Sequence, residues 1–173
     1  YMKISILLPY KENFSPTYPG AVSLFINETT QISKYKKNIK VYGSTEYKNK
    51  FKPNYVNIDL SKRGIGSQTR EYIKKFIIFE KKNPSDLIEI HNRPNYLKYL
   101  DEKLNVRNFI LFFHNDPLSM DGSKTTEERE YLLRKCHRII FNSNWSKNRF
   151  LEGMENNLVN SVKLLVFFQS AKK

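Results

Sequence analysis

Short, continuous apolar runs alternate along this chain with stretches of helical period, and that alternation constrains the fold more than any single motif. Lys3–Leu8 is apolar and ends at Pro9, and Ile39–Tyr42 ends at Gly43. Tyr55–Ile58 follows Pro53, Leu87–Ile90 follows Ser85-Asp86, and Phe109–Phe113 is the most apolar run of all. Arg138–Phe141 and Val162–Phe168 complete the set. Short runs without polar alternation suit strands buried on both faces, as in a parallel sheet.

Between the runs lie helix patterns. After the Pro19-Gly20 break, Val22, Phe25, Ile26 and Ile32 recur at helical spacing within Val22–Ser33. The Gly64-Ile65-Gly66-Ser67 break precedes Gln68–Lys82, with Ser67 as cap and Tyr72, Ile73, Phe76, Ile77 and Phe79 as a wide apolar face. Pro94–Leu104 carries Tyr96, Leu97 and Leu100 inward. A further helix, capped by Thr125 or Thr126, runs through Lys135, with Cys136 late in it and His137 at its end. The last, Asn144–Leu151, is capped by Asn142 or Ser143 and ended by Gly153, with Trp145 and Phe150 expected to pack inward. The alternation predicts an α/β, Rossmann-like domain: an open, mostly parallel sheet with helices on both faces. A single domain over residues 1–173 is expected from length.

Charge narrows the partners. Thirty Lys and Arg oppose 17 Asp and Glu, a net charge of +13. Such a balance attracts polyanions, whether phosphorylated small molecules or an anionic membrane surface. The lysines are spread widely, which equally fits a solvated surface with no specific partner. No helix concentrates arginines among aromatics, so nucleic acid is not an expected partner. No apolar run approaches the roughly twenty residues of a spanning helix, and no secretory leader is visible. A cytoplasmic location is expected. The single cysteine, Cys136, excludes an internal disulfide and a cysteine-based metal site, and reads as a buried thiol.

In open parallel sheets, ligands bind beyond the carboxyl ends of the strands. The loops after the strands are therefore the informative ones. Gly20 and Ala21 open the first helix after an extended loop; a phosphate could meet free N–H groups there, although a Pro-Gly turn that only launches a helix reads equally well. His91-Asn92-Arg93-Pro94 and His114-Asn115-Asp116-Pro117 fall at the ends of two neighbouring runs. Histidines at such an edge can bond a hydroxyl or a phosphate, or be satisfied by the loop itself. Ser143 reads as a helix cap. His91, His114 and Asp116 have no ligand spacing typical of a metal site, so no metal is expected. GxSxG, GxGxxG and P-loop patterns are absent.

Taken in order, these segments resemble the N-terminal half of the retaining glycosyltransferase family 4, with its GT-B architecture of two Rossmann-like domains. The resemblance rests on Pro19-Gly20-Ala21-Val22, Ile88-Glu89-Ile90-His91-Asn92-Arg93-Pro94, Leu111-Phe112-Phe113-His114-Asn115-Asp116, and Arg138 to Phe150. It spans nearly the whole chain and is closest in flavour to bacterial enzymes that build lipopolysaccharide or other surface glycans. One departure is that only Gly20 stands where the family often has paired glycines.

The resemblance implies a nucleotide-sugar donor bound chiefly by a second domain with a Glu-x7-Glu signature, which these residues lack. The chain is thus expected to be the acceptor-side half, inactive alone. By the same resemblance, His114 is the catalytic residue beside the transferred sugar. Gly20, Ala21, His91, Asn92, Arg93, Asn115, Asp116 and Ser143 line the substrate. The acceptor is a glycan or a lipid-linked glycan, met at an anionic membrane surface. No cofactor or metal is implied, and the nucleotide sugar is substrate. The other readings of these residues are a stand-alone Rossmann-like or flavodoxin-like module for an anionic ligand and, behind it, a nucleic-acid binder.

Overall fold

A computed structural model of the chain describes residues 2–52, 54–60, 66–105 and 108–168. Among them seven strands are found: β1 (Ile4–Leu7), β2 (Ile39–Gly43), β3 (Tyr55–Asn57), β4 (Leu87–His91), β5 (Asn108–Phe113), β6 (Cys136–Phe141) and β7 (Leu164–Val166). Five α-helices accompany them: α1 (Ala21–Ile32), α2 (Gln68–Lys82), α3 (Tyr96–Lys103), α4 (Thr126–Lys135) and α5 (Asn144–Leu151). The strand order is β3-β2-β1-β4-β5-β6-β7. This is the expected α/β, Rossmann-like parallel sheet. Pro53, Gly64 and Ile65, read above as turn residues, lie outside the described residues.

The described residues divide into two compact units, one from 2–88 and 99–105, the other from 89–98 and 108–168. In the first, β1, β2 and β3 pair in parallel, with Ile4 opposite Ile39 and Val41 opposite Tyr55. Their core joins Ile4, Ile6, Leu8, Phe14, Val22, Ile26, Ile39 and Val41. Helix α1 buries Val22, Ile26 and Thr30, a stripe at every fourth position. Ile32 falls on the opposite side of that stripe and is 86% exposed, contrary to the inward placement expected for it. Helix α2 has the expected bounds and cap, with Ser67 accepting the Arg70 N–H. Its inward face is Tyr72, Ile73, Phe76 and Ile77, whereas Phe79 lies at its margin, 39% exposed. The Tyr72 hydroxyl donates to the Leu8 carbonyl at 2.6 Å. Glu80 is buried too, and its carboxylate accepts from Ser5 Oγ (2.5 Å), Ser85 N (3.0 Å) and Ser85 Oγ (2.8 Å).

In the second unit β5 and β6 pair along Ile110–Phe113, and β7 adds to β6 with Val166 opposite Phe141. Burial alternates along β5: Phe109, Leu111 and Phe113 are inside, while Ile110 and Phe112 are half-buried. Phe113, Phe141 and Phe150 form one aromatic cluster with centroids 5.4–5.8 Å apart. Thr125, of the two candidate threonines, caps α4 in a reciprocal box with Glu128. Ser143 caps α5, accepting the Ser146 N–H at 3.1 Å. Gly153, just past α5, has φ 75°, a conformation that favours glycine.

Four sequence expectations need correction in this unit. Cys136 is not in a helix: its backbone is extended (φ −79°, ψ 138°), so it ends α4 and opens β6. Burial pushes its thiol up to about 12, which makes it the inert buried thiol expected. His137 is an exposed strand residue of β6 rather than a helix end. Trp145 is exposed, because the phase set by the Ser143 cap turns Ser146 and Phe150 inward; its ring instead carries the Arg149 guanidinium at 5.6 Å. Finally, β7 covers only Leu164–Val166, and Phe167 and Phe168 beyond it are exposed.

Candidate functional site

Two strand ends build the most organised polar cluster of the second unit. His91 is the last residue of β4, and His114 immediately follows β5. Side chains two apart on a strand share a face, so Glu89 and His91 of β4 stand alongside Phe112 and His114 of β5. The His91 ring stacks on Phe112 (centroids 4.6 Å apart, planes at 12°) and lies against His114 (5.2 Å, 25°). His91 Nδ1 is 2.9 Å from His114 Nε2, and His91 Nε2 is 3.3 Å from Glu89 Oε2. Glu89, His91 and His114 therefore form one hydrogen-bonded chain.

The backbone of His114 is held from both sides. Its N–H donates to Asn92 Oδ1 at 2.7 Å, and its carbonyl accepts from Asn142 Nδ2 at 2.8 Å. Asn92 also donates to Asn115 Oδ1 (2.7 Å), and its own carbonyl accepts from Arg93 (2.7 Å). Asn142 is steadied in turn by the Ser146 hydroxyl at 3.1 Å. Asn92 adopts φ 54°, a left-handed conformation that asparagine tolerates better than most residues. A non-glycine residue in that region, aimed at a strand end, is the kind of strain that collects at functional sites.

Burial, and then the charge of the adjacent His91, push the His114 imidazole down from 6.5 to about 3. His114 is therefore neutral near pH 7, and this edge offers a neutral imidazole rather than a cation. Such a group accepts or donates a hydrogen bond and can act as a base, but it does not neutralise a diphosphate.

Asp116 and Ser143 are committed to local structure. Arg149 grips Asp116 through Nε (3.2 Å) and Nη2 (3.1 Å), and the same carboxylate caps the 3-10 turn Pro117–Ser119 through the Leu118 N–H. The hydrogen bonds from Arg149 hold the Asp116 carboxyl below its usual value. Ser143 spends its hydroxyl on the start of α5. Asn115 is exposed, Arg93 half-exposed and His91 buried.

Gly20 and Ala21 belong to the first unit. Gly20 is the residue before α1, with unstrained φ −70° and ψ 156°. A Cβ there would overlap the Glu12 carboxylate. Glu12 Oε1 accepts the Ser23 N–H (3.0 Å) and the Ser23 hydroxyl (3.1 Å), so an internal carboxylate already holds the helix start expected to receive phosphate.

Sequence reasoning missed Glu89, Asn142, Arg149 and Glu12 as parts of these arrangements. Glu89 was legible, since Glu-x-His in a strand places both groups on one face. Asn142 was considered only as a cap, and Glu12 gave no local signal. Among the described residues no group of three His, Cys, Asp or Glu side chains is placed to hold a metal ion. Nor is any helix among them long and apolar enough to cross a membrane.

No family model and no curated protein sequence matches this chain. Solved structures do match. Anabaena HepE in complex with UDP-glucose superposes over 95% of this chain and 43% of its own, with TM-score 0.60 and 14% identity. UDP-N-acetylglucosamine 2-epimerase from Rickettsia bellii superposes over 96% of this chain and 44% of its own, with TM-score 0.57 and 10% identity. A further crystal structure of UDP-N-acetylglucosamine 2-epimerase gives TM-score 0.55 at 10% identity, over 96% of this chain and 48% of that one. The chain thus spans less than half the length of the proteins it matches. The likeness is one of fold, a Rossmann-like α/β domain with a parallel sheet.

Proposed function

We propose that this chain is the acceptor-side half of a glycosyltransferase that moves a sugar from a nucleotide-sugar donor to a glycan or lipid-linked acceptor. The observation that carries the reading is the neutral His114, clamped through its ring and both backbone groups at a strand end of a parallel sheet. Folding alone does not call for a buried imidazole chain of that kind, and such pairs gather where substrates are handled. The likeness to a fold solved with UDP-glucose supports a nucleotide-linked sugar as the substrate class.

In this reading His114 meets the transferred sugar, and Asn92, Arg93 and Asn115 line the substrate beside it. A phosphate approaching Gly20 and Ala21 would have to displace Glu12. Transfer proceeds with retention, without a metal, and the donor diphosphate is held chiefly by a second domain. The net charge of +13 suits docking on an anionic inner membrane surface during lipopolysaccharide or surface-glycan synthesis. The comparable likeness to 2-epimerases favours a second reading, epimerisation of the nucleotide sugar itself.

Turnover of a UDP-sugar panel by the native polypeptide that contains this chain tests both readings. Nucleotide release with a glycosylated acceptor supports transfer, and an epimerised nucleotide sugar supports the second reading. His114→Ala is expected to lower kcat by about 100-fold or more with folding intact. Near-wild-type turnover in that variant, or transfer by the 173-residue chain alone, would overturn the assignment.

A further inference from the structure

A basic and apolar surface gathers at the amino ends of β1, β2 and β3. Residues 31–40 include four lysines and no carboxylate; the nearest acid along the chain, Glu28, is one turn back on α1. Ile32, the last residue of α1, is 86% exposed, and Tyr35 is exposed beside it. The Lys34 ammonium lies 5.0 Å from the centre of the Tyr35 ring. Hydrogen bonds hold this segment against the chain that enters β3. Gln31 Nε2 donates to the Lys52 carbonyl (2.7 Å), Lys36 Nζ to Gln31 Oε1 (2.7 Å), and Asn54 Nδ2 to the Lys36 carbonyl (3.1 Å).

Alongside is a cavity of about 150 Å³ whose lining includes Lys3, Lys37 and Lys40 with Asn38, Asn54 and Asn83. The two carboxylates near it are already engaged: Glu80 accepts from Ser5 and Ser85, and Asp86 accepts the Lys3 backbone N–H at 2.8 Å. Lys3 Nζ donates to Asn83 Oδ1 at 2.8 Å. Among the described residues no ion pair joins Lys3, Lys34, Lys36, Lys37, Lys40 or Lys52 to a carboxylate.

We propose that this face, built on Ile32, Lys34, Tyr35, Lys37 and Lys40, docks the protein on an anionic phospholipid surface, with a headgroup phosphate held in the lysine-lined cavity. An exposed aliphatic chain and an aromatic ring can enter the headgroup layer, while lysines on flexible stems reach its phosphates. The complementarity is one of charge. A second copy of the chain does not fit, because a two-fold contact would bring the same lysines face to face. The docking face stands apart from the reaction proposed above, which draws on net charge alone and names no surface.

Co-sedimentation of the native polypeptide with vesicles tests this, using phosphatidylcholine alone and equal parts of phosphatidylcholine and phosphatidylglycerol. Binding is expected to the mixed vesicles only, and should weaken as salt is raised. Lys37→Gln combined with Lys40→Gln should weaken it by about 30-fold, the loss of two lysines at such a surface. Ile32→Ser should weaken it by about tenfold, the value of one aliphatic side chain taken out of water. Lys11→Gln combined with Lys48→Gln removes the same charge from exposed positions that follow β1 and β2. That pair should change binding by less than about threefold, because it lies beyond a screening length of the lipid. All five positions are exposed, so the fold is not at stake. Equal losses in the two lysine pairs would show that net charge rather than this face drives binding, and would overturn the proposal. So would equal binding to both kinds of vesicle. Binding to neither, the result expected if an acidic protein covers this face, would overturn it too. Turnover of the UDP-sugar panel is read separately, so failure of the docking face and failure of the proposed reaction are distinct results.

Discussion

The side-chain carbonyl of Asn92 accepts the backbone N–H of His114 at 2.7 Å, from a residue whose own backbone is left-handed at φ 54°. One residue thus supplies a hydrogen bond that fixes His114 and absorbs the strain of the turn that places it. Asn92→Ala removes the bond while leaving a Cβ in the strained region. It should destabilise the protein by about 2–4 kcal/mol, the sum of a lost buried partner and the left-handed penalty. Asn92→Gly loses the same bond without that penalty and should be milder by about 1 kcal/mol. Urea unfolding of the two variants measures the difference, and equal losses would mean that the φ value is not strained.

Acid should weaken the protein through His114. Its folded pKa of about 3 lies below the ordinary 6.5, so between these values the unfolded chain binds the extra proton. Stability from this group is complete above about pH 6.5 and is lost as pH falls toward 3. Asp116, also held low, acts in the same direction in a more acidic range. His114→Gln keeps an amide that can donate to or accept from His91 but cannot titrate. Its stability should fall less steeply over the same range, by up to about 1.4 kcal/mol per pH unit. Parallel unfolding-versus-pH curves for the two proteins would refute the shift.

Gly20 is fixed by space rather than by conformation. Its dihedral angles suit any residue, but a methyl group would push Glu12 off the Ser23 N–H and hydroxyl. Gly20→Ala should cost about 1 kcal/mol, the value of a helix cap, and little in a Glu12→Ala background. Thermal denaturation of the double-mutant cycle gives the coupling, and additive effects would separate the two residues.

Arg129 is a buried cation whose hydrogen bonds go to backbone carbonyls, with Glu152, Glu127 and Glu128 favouring its charge. Its Nη1 donates to the carbonyls of Phe150 (2.6 Å) and Glu152 (2.7 Å), and its Nε donates to Thr125 O (3.2 Å). These bonds tie α4 to the end of α5. Arg129→Met leaves the Phe150 and Glu152 carbonyls without this donor, while Thr125 O keeps the Arg129 backbone N–H, and should cost about 3 kcal/mol. Arg129→Lys should recover only part, because its shorter side chain has no counterpart of the Nε donor and lacks the planar guanidinium fork that holds these bonds in place. Denaturant midpoints of the two variants rank them, and an equal loss would show that the fork is not what matters.

How far the site could be read in advance depended on whether its partners were near in sequence. His91, Asn92, His114 and Asn115 stood out because they follow apolar runs, and the structure joins them as expected of neighbouring strand ends. Ser143 and Thr125 were legible as caps for the same local reason. Glu12 against Ser23, Arg149 against Asp116 and Asn142 against the His114 carbonyl were not. Each pairs residues on different elements, and no periodicity encodes such a meeting. Trp145 misled because a lone tryptophan suggests burial, whereas the phase of a helix that short is set by its cap and by Phe150.

By itself, the sequence determined the α/β alternation, most element bounds, and the strand ends that carry polar residues. These follow from local propensity, capping chemistry and the period of apolar side chains, all of which act over a few residues. Only the tertiary structure decided that His91 is buried, stacked between Phe112 and His114. The same holds for Glu12 at the start of α1 and for the low pKa of His114. Burial and hydrogen-bond distance are properties of packed neighbours, and the adjacency of β4 and β5, which brings Glu89, His91 and His114 into line, is fixed only when the strands assemble.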